Sequence, residues 1–221
     1  MGEQLLSFQH FVLLGEAGCG KSELAVNLAG ALRQQGRAVH LFDLDMTKPL
    51  YRTRELGGVL AEMGVTLHFE TQVADAPTQV GGLRPCLLSR ESSTILDVGG
   101  DANGARAIGG YAPLLNRDNT AVLYVINPYR PWSGTAESAA ETLSRILAVS
   151  HLRPDKVLYA ANPFLGAETT PDDVTAGLAA VEQMVERVTL LCVPEALAQA
   201  VTVKVPVLPM RRHIRYPWNE R

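Results

Sequence analysis

Gly15-Glu16-Ala17-Gly18-Cys19-Gly20-Lys21-Ser22 fits the pattern G-x-x-x-x-G-K-[ST], a phosphate-binding loop. Its flanks give the pattern a context. Phe11-Val12-Leu13-Leu14 before it is a short apolar run of the kind a buried parallel strand shows. After it, Leu24, Leu28 and Leu32 recur every four residues, with Ala25, Ala29 and Ala31 alongside, and Gly36 closes the pattern. That spacing predicts a helix with one apolar face. The loop is therefore expected to join the end of a strand to the start of a helix.

The residue types carry the chemistry. Gly15, Gly18 and Gly20 let the backbone approach a phosphate with no Cβ in the way. The amides of the loop, those of Glu16, Ala17 and Cys19 included, and the positive helix end are expected to face the anion. Lys21 is expected to reach the β- and γ-phosphate oxygens, and the Ser22 hydroxyl to ligate Mg²⁺.

Outward from the loop the chain alternates between strand-like and helix-like stretches. Strands are expected at residues 38–42, 65–69, 94–96, 121–126, 156–161 and 189–193, with a further one within 203–208. Helices are expected from a cap at Ser133 or Thr135, and from Thr170-Pro171-Asp172-Asp173, which combines a cap, a proline at the first position and acid in the first turn. Short helices are expected near Leu87 and over 194–200, and an uncertain one within 101–115. The stretch 70–85, rich in Gly, Pro and Thr, reads as an irregular excursion. The alternation predicts an α/β fold: one doubly wound, mostly parallel sheet of about seven strands with helices on both faces. Ligands then sit beyond the carboxyl ends of the strands. Asp43, Asp45, Asp97, Asn127 and Asn162 all follow strands, so all map to the rim that holds the loop. Residues 1–210 are read as one domain and 211–221 as a basic tail, Arg211-Arg212-His213-Ile214-Arg215-Tyr216-Pro217-Trp218 at its start, expected to pack on that domain.

Composition narrows the class. The chain has 221 residues, 47% hydrophobic and 19% charged, as an ordinary globular domain has. A net charge of −3 gives no reason to expect nucleic acid as partner. No apolar run approaches the ~20 residues of a membrane helix, and Met1–Gln9 lacks the features of a signal peptide, so a cytoplasmic location is expected. Cys19, Cys86 and Cys192 are widely spaced and show neither a zinc-knuckle nor a disulfide pattern. Cys86 and Cys192 are expected to be buried apolar side chains. Cys19, in the loop, is expected to be partly exposed.

Asp97 follows Thr94-Ile95-Leu96 and precedes Val98-Gly99-Gly100. A carboxylate at a strand end is the expected Mg²⁺ partner, and Gly100 would offer a backbone N–H to the γ-phosphate. Asp45, lying beyond the second strand, is the candidate orienter of attacking water, the alternative being a turn or cap. Ser22, Asp97 and Asp45 make up the candidate metal set; Lys21, Asp45 and Asp97 are the candidate catalytic residues. Arg52, Arg54, Arg106 and Arg130 are further charges near the rim. A guanine-reading Asn-Lys-x-Asp motif is missing: the corresponding strand ends Asn162-Pro163-Phe164. An asparagine amide at Asn162 can pair with the adenine edge, which favours ATP.

With these residues in place, the chain resembles the MinD/ParA-like (SIMIBI-class) branch of P-loop ATPases. The likeness rests on Gly15–Ser22, the strand ending Asp43-Leu44-Asp45, and Asp97-Val98-Gly99-Gly100. It is closest to a poorly characterised subgroup of that branch, through residues 43–55, 97–107, Asn127-Pro128-Tyr129-Arg130-Pro131 and Glu168–Val174. The resemblance implies a dimerising nucleotide switch with an unknown protein partner. One departure stands out: that branch has a lysine early in its P-loop, reaching across a dimer, where this chain has Glu16. The expected function is a Mg²⁺-dependent ATP-binding protein and slow ATPase that works as a conformational switch. The rivals are a small-molecule kinase or ligase of the dethiobiotin-synthetase type and a nucleotide-binding regulator without turnover.

Overall fold

Phe11, Val12, Leu13 and Leu14 are wholly buried in β1 (His10–Leu14), which lies between two parallel neighbours in the middle of the sheet. The computed structural model describes residues 3–45, 56–69 and 81–214. Glu3–Leu6 forms a short helix, α1, before β1. The remaining strands are β2 (Ala38–Leu44), β3 (Val65–His68), β4 (Ser92–Val98), β5 (Thr120–Ile126), β6 (Val157–Ala161), β7 (Val188–Pro194) and β8 (Val207–Met210). Their order is β3-β2-β4-β1-β5-β6-β7-β8, and every pairing is parallel. Among the described residues the sheet thus has eight strands, in keeping with the doubly wound α/β sheet of about seven that was expected. The last strand begins later than the sequence suggests, because Lys204 and Val205 come before the pairing with Leu191 starts at Val207.

Two cores result, one on each face, because successive residues of a strand point to opposite sides. Phe11 and Leu13 pack with Leu24, Leu28 and Leu32 of α2 (Lys21–Gln34) and Leu60 of α3 (Gly57–Glu62). Val12 and Leu14 pack on the other face. That face is covered by α4 (Leu83–Leu88), α5 (Ala102–Arg106), α6 (Ala112–Leu115), α7 (Ala136–Ser150) and α8 (Pro171–Met184).

The helix starts obey local chemistry. Thr135 caps α7 by accepting from the Ser138 N–H at 3.2 Å, while Ser133 donates instead to the Asn127 carbonyl at 2.7 Å. Thr170 and Asp173 close a reciprocal capping box on α8. The helix expected over 194–200 shrinks to one tight turn, Glu195–Leu197, as the chain crosses to β8. The uncertain helix of 101–115 resolves into α5, a tight turn at Gly109–Tyr111, and α6.

The first tail residues lie against α2. Arg211 exchanges two hydrogen bonds with the Asn27 side chain, at 2.8 and 2.9 Å. The N–H groups of His213 and Ile214 donate to Glu23, and Ile214 is buried. Residues 215–221, like Arg52 and Arg54, lie outside the described residues. No helix among the described residues is long and apolar enough to cross a membrane.

Candidate functional site

The loop between β1 and α2 has the geometry its glycines anticipate. Gly15, Gly18 and Gly20 have φ of 136°, 77° and 98°, values that L side chains rarely adopt. Gly15 is also hemmed in: a Cβ there would lie 2.4 Å from the Val125 carbonyl oxygen. Gly20 precedes the first turn of α2, so Lys21 and Ser22 sit at the positive end of that helix. Lys21 is buried. Its ammonium donates to the carbonyls of Gly15 at 2.8 Å and Glu16 at 2.9 Å, folding back across the loop.

Asp97 lies beside the loop. Parallel pairing sets it opposite Leu13 on one side and Asp43 on the other. It is 1% exposed, and neither of its carboxylate oxygens has a well-formed hydrogen bond among the described residues. Burial pushes its pKa up to about 7, and the charges of Asp43 and Asp45 add to that; Lys21 and the nearby Ser22 hydroxyl pull the other way. Asp43 and Asp45 are buried at the end of β2, and the Asp45 N–H donates to Asp43 Oδ1 at 3.2 Å. Three carboxylates and one ammonium therefore share a small volume at the strand ends. Gly100 packs on the loop itself: a Cβ there would lie 2.7 Å from the Ala17 nitrogen. Only a glycine lets the end of β4 come that close to the phosphate loop.

Glu16 turns away from the centre of the loop. One of its carboxylate oxygens accepts from the Thr142 hydroxyl of α7, which also accepts from Arg145 at 3.2 Å. The sequence reading missed Thr142. It is 126 residues from Glu16 and carries no local signal.

Asn162 sits behind the loop. Its amide nitrogen donates to the Cys19 carbonyl at 2.7 Å, and a Cβ on Gly20 would lie 2.2 Å from that nitrogen. In this arrangement its amide donor braces the loop. Asn127 braces the rim in the same way, donating to the Phe164 carbonyl at 2.9 Å and accepting from the Tyr129 N–H at 3.0 Å. Cys19 is fully buried, contrary to the expected partial exposure, because its side chain points under the loop into the core with Leu24 and Val125. Cys192 is buried as expected, and burial pushes its thiol up to about 12. Cys86 is only half-buried, a departure taken up below. Of the rim arginines, Arg106 is exposed and Arg130 half-buried.

This fold and this loop define a P-loop nucleotide-binding protein. Residues 11–188 match the family CbiA, the CobQ/CobB/MinD/ParA nucleotide binding domain, and the chain belongs to that family. No curated protein matches it by sequence. Among solved structures, it is similar to the signal recognition particle receptor FtsY from Elizabethkingia anophelis, with 15% identity and a TM-score of 0.58 over 92% of this chain and 61% of that one. It is also similar to the signal recognition particle 54 kDa protein from Aeropyrum pernix K1, solved in complex with GDP, with 18% identity and a TM-score of 0.51 over 80% of this chain. The matched region spans 40% of that second protein's length. At these identities the likeness concerns the fold.

Proposed function

We propose that this protein binds Mg²⁺-ATP and hydrolyses it slowly, as a nucleotide-driven conformational switch. The observation that carries this reading is Asp97: a buried carboxylate whose oxygens make no well-formed hydrogen bond among the described residues, with the Ser22 hydroxyl and the Lys21 ammonium close by. An oxygen-only donor set of this kind suits a hard cation. Ser22 and Asp97 would hold the Mg²⁺, and Asp45 beside them would orient the attacking water. Bound Mg²⁺ neutralises charge on the phosphates. Lys21 leaves the carbonyls of Gly15 and Glu16 for the phosphate oxygens, and the amides of residues 16–20 face the anion.

The switch reading draws on Gly100. Its backbone rests on the loop at Ala17, so a γ-phosphate entering the loop and one leaving it make different contacts with the end of β4. The ATP preference rests on the missing lysine and aspartate after Asn162, not on a free Asn162 amide, since that group is engaged with Cys19.

Equilibrium binding of ATP and GTP, with and without Mg²⁺, tests the reading in the wild type, Lys21→Ala and Asp97→Asn. ATP binding should need Mg²⁺, exceed GTP binding, and weaken at least tenfold in both variants. Binding that ignores Mg²⁺ and survives Lys21→Ala would overturn the assignment.

A further inference from the structure

A second cluster of ligand-type side chains lies well back along β2 from the P-loop carboxylates. His40 sits in the middle of β2, His68 ends β3, and Cys86 lies on α4. Three features of the fold bring them together. The register of β2 and β3 sets Phe42 opposite His68, so His40, Phe42 and His68 share one face of the sheet. Gly82, with φ of 84°, begins α4 beside the His68 ring. The Phe42 ring stacks on His68 at 4.2 Å and 4° between planes, which fixes how the imidazole is presented.

The result is a compact donor set. His40 Nδ1 and His68 Nε2 are 3.0 Å apart. With the Cys86 sulfur, the three ligand atoms all lie within 4.8 Å of one another. All three residues are half-buried, so an ion can enter and a water can complete its shell.

We propose that His40, His68 and Cys86 bind one Zn²⁺ ion, with a water or an exogenous ligand in the fourth position. The chemistry of the donors points to this metal class. Imidazole and thiolate together suit a borderline-soft ion, whereas the carboxylates and hydroxyl at the P-loop suit Mg²⁺. Zinc at about 2.0–2.1 Å from nitrogen and about 2.3 Å from sulfur sets tetrahedral ligands roughly 3.5 Å apart. The imidazole pair, at 3.0 Å, is already close to that spacing, and the Cys86 sulfur lies within 4.8 Å of both nitrogens. Burial holds both imidazoles below their ordinary pKa, which leaves them neutral and able to ligate at neutral pH. On binding, the Cys86 thiol releases its proton to solvent and a sulfur–zinc bond forms.

The site is independent of the nucleotide reading. It stands on the outer end of the sheet, on the same strand that carries Asp43 further on and leads to Asp45. A bound ion would tie β2, β3 and α4 together.

The test uses the metal-free full-length chain in excess Mg²⁺, so that the P-loop carboxylates do not report. Co²⁺ is titrated as a spectroscopic stand-in, then displaced by Zn²⁺. The wild type should bind one equivalent with a thiolate-to-cobalt charge-transfer band and intense tetrahedral d–d bands, which Zn²⁺ abolishes. Cys86→Ser should lose the charge-transfer band. His68→Gln should bind at least tenfold more weakly, and Cys192→Ala should keep the whole spectrum. Absence of a charge-transfer band in the wild type would overturn the proposal, leaving the two histidines as a hydrogen-bonded pair. So would a band that survives Cys86→Ser unchanged. Circular dichroism of each variant shows that it is folded.

Discussion

The P-loop of this chain carries a glutamate where an anion is expected to bind, and a single hydroxyl on a distant helix settles where that carboxylate goes. Glu16 is drawn to Thr142 on α7, and Arg145 is bonded to the same hydroxyl. A negative charge on the loop is thereby directed away from the phosphate position. In Thr142→Val that restraint is lost and Glu16 is free to repel phosphate. ATP affinity should fall severalfold, more at low ionic strength than at high, because exposed charges are screened by salt. Adding Glu16→Gln should restore it. A double variant that binds no better than Thr142→Val would contradict this account. The loop glycines, Lys21, Ser22 and Asp97 were legible in the sequence because a motif is a local pattern. Thr142, and the bracing of the loop by Asn162, were not, because both are contacts between residues more than 120 positions apart. The same holds for His40, His68 and Cys86, which only strand register and a glycine turn bring together.

At the scale of elements, the sequence was most legible where each element carries its own signal. Leu24, Leu28 and Leu32 lie along one buried face of α2, and Thr120–Ile126 is buried throughout as a central strand. Segments with weak periodicity were read less well. The helix expected over 194–200 is one tight turn, since only Leu197 among its residues has an apolar side chain of any size to bury. The capping box of α8 gives a direct measure of how much such local signals are worth. Thr170 accepts from the Asp173 N–H, and the Asp173 carboxylate accepts from the Thr170 N–H at 2.8 Å. The Asp173 carboxyl is held below its ordinary pKa first by the Thr170 hydroxyl, then by that N–H. Thr170→Ala should destabilise the fold by about 1 kcal/mol. For a domain of this size that lowers Tm by about 2–4 °C in a calorimetric scan. An unchanged Tm would mean that the box contributes nothing net.

At the scale of the whole molecule, one pH-dependent contribution to stability comes from the residue that opens β1. His10 opens β1, is 1% exposed, and has no well-formed hydrogen bond from either ring nitrogen among the described residues. Burial, reinforced by the charge of Arg37, holds its pKa at about 4. The unfolded chain binds a proton at this histidine near pH 6.5, and the folded protein does so only near pH 4. Protonation therefore favours the unfolded chain, so this group costs the fold nothing above pH 6.5 and an increasing amount as pH falls towards 4. Urea midpoints measured from pH 7 to pH 4 should fall more steeply for the wild type than for His10→Gln. Parallel curves would show that His10 is not the group responsible. Across the sheet, the order β2-β4-β1-β5 places Asp43 and Asp45, Asp97, the P-loop and Asn127 on adjacent strands, all at their carboxyl ends. That convergence puts the candidate residues at one site, where the proposed ATP-driven switch would act. Hydrolysis of ATP and GTP with Mg²⁺ and no added acceptor, in the wild type beside Lys21→Ala, tests it most directly. The account predicts slow ATP turnover that exceeds GTP turnover and disappears in Lys21→Ala. ATP turnover undiminished in Lys21→Ala, or none at all in a wild type that binds Mg²⁺-ATP, would contradict it.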